Sequence, residues 1–459
     1  MQKYPPGSGG RQPPAIPATL ALAAGPGNSP AQMSFRFVHA ADIHLDSPLR
    51  SLALRAPQVA ELIGTATRQA FVNIVDLCLA ERVDALLLAG DLYDGDQTSM
   101  TTARFLAAQL GRLDQAGIAV HIIRGNHDAL SRITRELVLP GVVHVYGDRP
   151  EAIPLSRPQG AVPVVLHGLS FRDHRAEASR LGDYHPPTPD AVNIGLMHTS
   201  LGGAAGHDPY APVSPVDLGR WGFDYWALGH IHKPSRQQAG RAQIVMPGIP
   251  QGRDIGEAGP RGVVLVTISP GGGMVIEDRL TSVAEFAELR VDAAGVTEWP
   301  ALVARLRTAL EDARETARSP HLVARVVLVG ATPLAWRIRR DLDLLQAEAE
   351  AAAEATGRVW IEKLSSLCTL DSADEPAPDG APLPELGRLI AAEVLGSPDF
   401  TAELRAAAED LLRLLPAELR GSFGADAAAL DDTLAELARE GAEDVLARLA
   451  GSGHDDGAA

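Results

Sequence analysis

The chain has 459 residues, of which 46% are hydrophobic and 22% are charged, and its formal net charge is −17. This length exceeds what one ordinary hydrophobic core accommodates, so we expect two or three domains. The two cysteines, Cys78 and Cys368, lie in apolar segments, which excludes a disulfide framework and a thiolate metal site and favours a reducing cytoplasm. No apolar run approaches the roughly 18 residues that a membrane span needs.

The negative charge is concentrated near the C-terminus. Residues 371–459 contain 20 acidic residues and 6 arginines, a balance of −14, which leaves −3 for the first 370 residues. A polyanionic partner for the first 370 residues is therefore not excluded. A local basic groove and bound divalent cations would matter more to such a partner than the total charge.

The N-terminal two thirds alternate short apolar runs with helical patterns. Residues 1–32 are rich in Pro, Gly and Ala, and we expect a disordered extension, with Met33 well placed as a start. The spacing of apolar residues predicts helices over 57–82 and 100–115. Between and after them we expect strands at 35–41, 84–90, 118–123, 192–197, 225–228 and 263–268. Together these elements predict an α/β layered domain over residues 33–283.

A second unit, residues 284–370, has the pattern of a small βαβαβ module. Strands are expected near 287–291, 321–329 and 358–363, with a helix over 299–317. Thr332 and Pro333 offer an N-cap and a first helical residue for one long helix to about Ala355.

The remaining segments are a linker over 371–383, a helical tail over 384–451 and a disordered end over 452–459. Leucine spacing predicts tail helices at 386–395, 401–415 and 427–449. Their apolar stripes are too exposed for so short a segment to bury alone. They either bind a partner surface or fold back on their own domain.

Five of the apolar runs end in residues of types that commonly bind metals. These residues are Asp42, His44, Asp91, Asn126, His198, His230 and His232. Strand ends are where an open α/β sheet collects its ligands. A single histidine is more often a core or surface residue, and we assign His39 and His121, inside strands, to the core or to an outer shell of the site. Five such motifs together predict one shared metal centre.

The donor types indicate which metals would bind. Carboxylate, amide oxygen and imidazole suit Mn²⁺, with Mg²⁺ or Fe²⁺ as alternatives, and the lack of thiolate disfavours structural zinc. Seven ligands are too many for one ion. With Asp91 shared, they suffice for two ions about 3.5–4 Å apart.

The same motifs resemble those of the calcineurin-like metallophosphoesterase superfamily. The segments that carry the resemblance are Asp42-x-His44, Gly90-Asp91-x-x-Asp94, Gly125-Asn126-His127-Asp128, His198 and Gly229-His230-x-His232. The segments at 37–45 and 247–253 are similar to SbcD-like DNA repair exonucleases, especially the YhaO-type branch. The resemblance is strong over residues 34–268 and elsewhere rests on architecture. It implies a layered β-sandwich flanked by helices, with 284–370 as a capping domain.

The resemblance also implies roles for the site residues. Asp42, His44, Asp91 and His232 would hold one metal, and Asp91, Asn126, His198 and His230 the other. The two cations would polarise a phosphodiester and lower the pKa of a bridging water, whose hydroxide attacks in line. His127 would be the general acid, with Asp128 orienting its ring. Several nucleases of the family have a histidine where this chain has Asp94, which leaves the exonuclease and endonuclease balance open.

DNA is the substrate that the resemblance implies, with Arg253 and Arg172 as candidate phosphate contacts; Arg172 is equally well explained as a solvated surface residue. The helical tail would dock on the coiled coil of an SMC-type, SbcC-like ATPase, and a homodimer is left open. No phosphate-binding sequence GxxxxGK[ST] occurs, so any ATPase must be a separate chain.

Two other functions compete with the DNA nuclease. A phosphomonoesterase or cyclic-nucleotide phosphodiesterase would need a narrow pocket and no capping module or partner tail. A non-enzymatic scaffold would tend to lose ligands, whereas all seven are present.

Overall fold

The computed structural model describes residues 34–47, 57–93, 99–128, 139–155, 163–171, 176, 178–202, 210–370, 382–414 and 426–452, with side chains from residue 64 onward in the first helix. Asp94, Arg172 and the predicted disordered ends lie outside the described residues, apart from the last helical residue, Ser452. So does most of the predicted linker, although a helix already begins at Pro382.

The strands, in chain order, are β1 Phe35–Ala40, β2 Ala85–Ala89, β3 Ala119–Ile123, β4 Val143–Val145, β5 Glu151–Leu155, β6 Val164–Gly168, β7 Val192–His198, β8 Tyr225–Gly229, β9 Ser235–Ala239, β10 Ala242–Met246, β11 Gly262–Ile268, β12 Met274–Leu280, β13 Ala284–Asp292, β14 His321–Ala331 and β15 Val359–Thr369. The helices are α1 Pro57–Glu81, α2 Met100–Gln115, α3 Pro215–Trp221, α4 Trp299–Thr316, α5 Ala335–Arg340, α6 Leu342–Thr356, α7 Pro382–Leu389, α8 Pro398–Leu414 and α9 Ala427–Ser452. A π-helical turn, Ile390–Val394, continues α7, and short 3₁₀ turns occur at Leu181–Asp183 and Ile255–Glu257.

In the described part of the chain, two six-stranded sheets form a sandwich. Their orders are β12-β11-β1-β2-β3-β4 and β5-β6-β7-β8-β10-β9. Because side chains alternate along a strand, Phe37 and Leu87 point into the core between the sheets. Their neighbours Val38 and Leu86 pack with residues of α1 and α2 in a second core on the outer face. The layered α/β sandwich flanked by helices is confirmed.

Each strand that was expected to end at the site is present, within a residue or two of its predicted bounds. β4, β5, β6, β9 and β10 were not predicted. For β9 the reason is that its sequence, SRQQA, is polar and its residues are largely exposed. β9 is an edge strand whose pairing is antiparallel to the apolar β10, so its conformation follows from its neighbour and its own side chains carry no strand pattern.

The βαβαβ module is also present. Its strands are all parallel, in the order β13-β14-β15, and α4 and α6 cover them through a separate apolar core that includes Leu302, Leu306 and Leu345. β15 continues to Thr369, six residues beyond its predicted end.

The prediction of a single long helix from Thr332 was wrong. Two helices, α5 and α6, occur instead, and they meet at Asp341, whose φ of −105° and ψ of 33° lie outside the helical range. Its carboxylate accepts hydrogen bonds from the Arg340 guanidinium at 2.7 and 2.9 Å. The Asp341 side chain makes no capping hydrogen bond to the first turn of α6.

The helical tail folds back on the module in part. Arg339 of α5 makes ion pairs with Glu443 and Asp444 of α9, and Leu446 of α9 is buried. Other apolar side chains of the tail remain exposed, among them Leu414, at 83% relative exposure. One face of α9 is therefore covered by its own chain, and apolar surface is left elsewhere on the tail.

Candidate metal centre

The predicted ligands meet where strands of the two sheets end. Asp42 and His44 follow β1, Asp91 follows β2, and Asn126 follows β3 by three residues. His198 is the last residue of β7, and His230 and His232 follow β8. β1, β2 and β3 are parallel neighbours, as are β7 and β8, so their carboxyl ends share an edge. All seven side chains come together there.

The loops that carry the predicted ligands have unusual backbone geometry. Asp42, His44 and Asp91 have φ values of 53°, 46° and 53°, in the left-handed region that non-glycine residues seldom adopt. Hydrogen bonds between the loops hold them, from Asp42 N to Gly90 O at 3.0 Å and from His44 N to Asp91 O at 3.1 Å. Such residues persist where the surrounding structure fixes them, and they concentrate at functional sites.

A first cluster consists of Asp42, His44 and His232, whose candidate ligand atoms all lie within 4.8 Å of one another. The Nε2 atoms of His44 and His232 face each other at 3.1 Å. The Asp42 carboxylate also accepts the backbone N–H of His230 at 3.0 and 3.1 Å, which ties the first cluster to the second.

A second cluster consists of Asp91, His198 and His230. The Asn126 amide oxygen joins it, 3.0 Å from His198 Nε2 and 3.2 Å from His230 Nδ1. His198 Nε2 is also 3.3 Å from Asp91 Oδ2. The cluster is tight, because a Cβ atom at Gly125 would lie 2.7 Å from His198 Cε1. The two donor sets combine carboxylate, amide oxygen and imidazole, so they fit divalent cations of hard to intermediate character.

Electrostatics within the site favour bound positive charge. Burial, the largest influence on Asp91, would raise the pKa of its carboxyl, but the nearby histidines, chiefly His198, hold that pKa well below its usual range. Burial raises the pKa of Asp42. Burial would lower the pKa of His198, yet Asp91 and Asp42 raise it to about 9. A divalent cation would supply the positive charge that these buried carboxylates otherwise draw from a protonated histidine.

Known families match both the α/β sandwich and the module. The calcineurin-like phosphoesterase family matches residues 35–234, and the middle domain of metallophosphoesterase YhaO matches residues 286–369. A protein of Bacillus subtilis (strain 168), described as an uncharacterized metallophosphoesterase YhaO, is 33% identical over 331 residues, which is 71% of this chain and 79% of that protein. The chain belongs to the calcineurin-like metallophosphoesterases.

Other relatives of this metallophosphoesterase carry names from DNA repair. The DNA double-strand break repair protein Mre11 of Methanopyrus kandleri is 28% identical over 374 residues, 74% of this chain and 79% of that protein. A component of the nuclease SbcCD of Rhodobacter capsulatus is 27% identical over 407 residues, 77% of this chain and 91% of that protein. The calcineurin-like family uses two divalent metals, in accord with the two clusters.

In this metallophosphoesterase, His127 lies beside the first cluster. Its ring is edge-on to that of His44, with the centroids 5.1 Å apart, and its backbone N–H donates to Asp91 Oδ1 at 3.0 Å. Asp128 is buried, and its carboxylate accepts the backbone N–H groups of Leu92, Tyr93 and Gly125 at 3.0–3.2 Å. These bonds join the loops after β2 and β3. An orienting role of Asp128 toward the His127 ring stays a prediction.

Two of the predicted ligand histidines have partners that fix their orientation. His198 Nδ1 is 2.9 Å from the carbonyl oxygen of Ala89, and His232 Nδ1 is 2.6 Å from Glu257 Oε1. A partner of this kind selects the tautomer whose other ring nitrogen is available to a metal. His39 bonds to Tyr225 Oη and to the Leu228 carbonyl instead, which gives it a core role.

Sequence reasoning missed Glu257, and Arg253 has a different setting from the one expected. The Arg253 guanidinium is paired with Glu257 at 2.9 Å and also lies 3.3 Å from Ser47 Oγ. Burial would raise the pKa of Glu257, but its bonds to His232 and Arg253 hold that pKa well below its usual range. No motif marks Glu257, because it reaches His232 only through the fold.

Within the described residues, no helix is long and apolar enough to cross a membrane.

Proposed function

We propose that the chain is a two-metal-dependent phosphodiesterase that cleaves DNA in DNA repair. The observation that carries the proposal is the convergence of seven ligands into two adjoining clusters at the ends of the strands. The DNA substrate is supported by the similarity to Mre11 and to the SbcCD nuclease component, which extends over about three quarters of the chain.

The ligand assignment follows the clusters. Asp42, His44 and His232 would hold one ion, and Asn126, His198 and His230 the other, with Asp91 contributing to both. Mn²⁺ is the proposed metal. When bound, the two cations supply Lewis acidity at the phosphodiester and acidify a water molecule for in-line attack.

His127 is the proposed general acid. Its ring is partly exposed at the rim of the first cluster, where it would be accessible to a substrate. The hydrogen bond from its backbone N–H to Asp91 fixes the position of the His127 backbone. Protonation of the leaving 3′ or 5′ oxygen by an imidazole is effective near neutral pH.

The rest of the chain would select and deliver the substrate. The module at 284–370 would cap the catalytic domain at 33–283 and help select DNA ends. The tail at 384–451 would bind a separate SMC-type ATPase in the cytoplasm, using apolar side chains that α9 leaves exposed, such as Leu437 and Leu449.

One assay tests the proposal. Purified protein with Mn²⁺ is incubated with labelled single- and double-stranded DNA, a nitrophenyl phosphodiester and a nitrophenyl phosphomonoester. We expect the parent protein to cleave DNA and the diester, and Asp91→Asn to lose both activities. The matched control Asp190→Asn, at an exposed residue in a turn, should keep both activities. Hydrolysis of the monoester alone would indicate a phosphomonoesterase. Bound metal without any hydrolysis would indicate a scaffold.

A further inference from the structure

Glu257 makes a short polar contact with His232, one of the predicted ligand histidines. It lies at the end of the 3₁₀ turn Ile255–Glu257, is 9% exposed, and places Oε1 2.6 Å from Nδ1 of His232. A neutral imidazole that donates from Nδ1 has its lone pair on Nε2. The Nε2 atom of His232 is the one that faces His44, so the contact aims His232 into the first cluster.

Arg253 fixes Glu257 in turn. Its backbone N–H and Nε donate to Glu257 Oε2 at 2.8 and 3.2 Å, and Nη2 donates to Oε1 at 2.9 Å. The two residues are four positions apart in the sequence, and a fork of this kind holds a carboxylate in one orientation. Both oxygens of Glu257 are therefore engaged, one of them by His232 and Arg253 together.

The segment that follows Glu257 is bonded to the strand end that carries His232 and to the module. Arg261 donates to the carbonyl oxygens of Glu257 and His232 at 3.1 and 3.3 Å. Gly259 N donates to Phe286 O of β13 at 2.8 Å. The loop that holds Glu257 thus spans the ligand segment and the first strand of the module.

We infer that Glu257 is a positioning residue for the metal ligand His232, held in place by Arg253. The inference rests on the proposed function, because it concerns the ion at Asp42, His44 and His232. The side chain of Glu257 contacts His232 and Arg253, so it would act on the ion through the ligand His232. It selects the tautomer and ring orientation of one ligand. Loss of a partner in this position typically weakens metal binding by about 10–100-fold.

The test is a calorimetric titration of the metal-free full chain with Mn²⁺. Glu257→Ala should still bind two ions, one of them about 10–100-fold more weakly and the other as in the parent. Glu257→Gln retains an acceptor oxygen of similar reach and should recover part of the lost affinity. Glu298→Gln, at an exposed glutamate with no side-chain cap bond, is the matched control and should bind as the parent does.

The outcomes separate this inference from the proposed function. The positioning role would be overturned if Glu257→Ala bound both ions with the affinity of the parent, or if its affinity for both ions fell equally. If Glu257→Ala does not fold, the same two results in Glu257→Gln decide against it. A parent chain that binds fewer than two ions would instead overturn the two-metal proposal, whatever Glu257 does.

Discussion

Replacing Gly229 by alanine tests whether the close packing between the two sheets at this point holds the predicted metal ligand His198 in place. Gly229 ends β8 immediately before His230. A Cβ atom added there would fall well inside the contact distance of Ala89 O, 2.9 Å from His198 Nδ1 and 3.1 Å from Ala41 Cβ. These neighbours are backbone and buried side chains, so none can move away freely. The bond from His198 to Ala89 O, 2.9 Å long, lies directly in the path of the new methyl group.

The expected loss of stability has two contributions. Overpacking a filled core typically costs about 1–3 kcal/mol. Breaking the bond between His198 and Ala89 leaves a buried polar group unsatisfied, at about 1–3 kcal/mol more. Gly229→Ala should therefore lower the free energy of unfolding by roughly 2–6 kcal/mol. The substitution should also lower the affinity for one of the two Mn²⁺ ions by about 10–100-fold, because His198 loses the partner that fixes its tautomer.

Urea unfolding of the metal-free chain measures the first effect, and calorimetric titration with Mn²⁺ measures the second. The control is Gly111→Ala, in the interior of α2, where an added Cβ meets no atom within 4 Å. That variant should gain about 0.5–1 kcal/mol, since glycine is unfavourable within a helix. Unfolding and Mn²⁺ binding of Gly229→Ala identical to those of the parent would refute the reasoning.

Three further predictions concern the acid, the tail and the buried core. His127→Ala should keep two metal ions and its affinity for DNA but lose about 10²–10⁴-fold in kcat on DNA. It should lose less on a nitrophenyl diester, whose leaving group needs no proton; equal losses on both, or none beyond the exposed control His185→Ala, would contradict the acid role. Deleting residues 384–459 should preserve hydrolysis of the nitrophenyl diester and abolish association with an SMC-type ATPase in a pull-down assay, whereas loss of diesterase activity would assign the helices to the catalytic core. Burial lowers the pKa of His39 to about 3, below the value of about 6.5 in an unfolded chain. The unfolded state alone then binds a proton as the pH falls from about 6.5 towards 3, so stability should drop by up to about 1.4 kcal/mol per pH unit from this residue. Urea unfolding between pH 7.5 and 5.5 should show a smaller slope in His39→Asn, and an unchanged slope would count against the effect.

Most of the site was predictable because its signals are local. An apolar run followed at once by Asp, Asn or His can be recognised without knowing the fold, and the strands that end at Asp42, Asp91, Asn126, His198 and His230 were all expected. The parallel module was predictable for the same reason, since its strands and helices carry their own periodicity.

Tertiary structure decided the features that depend on distant neighbours. Glu257 lies in a loop with no metal motif, and it reaches His232 because the chain returns past that strand end between β10 and β11. Asp128 bonds to the backbone of a loop 35 residues away, and two helices meet at Asp341 although the apolar spacing continues through that residue. β9 is a strand because β10 pairs with it. Apolar periodicity records only whether a residue faces a core, whereas these contacts depend on which chain segments the packed sheets bring within hydrogen-bonding distance.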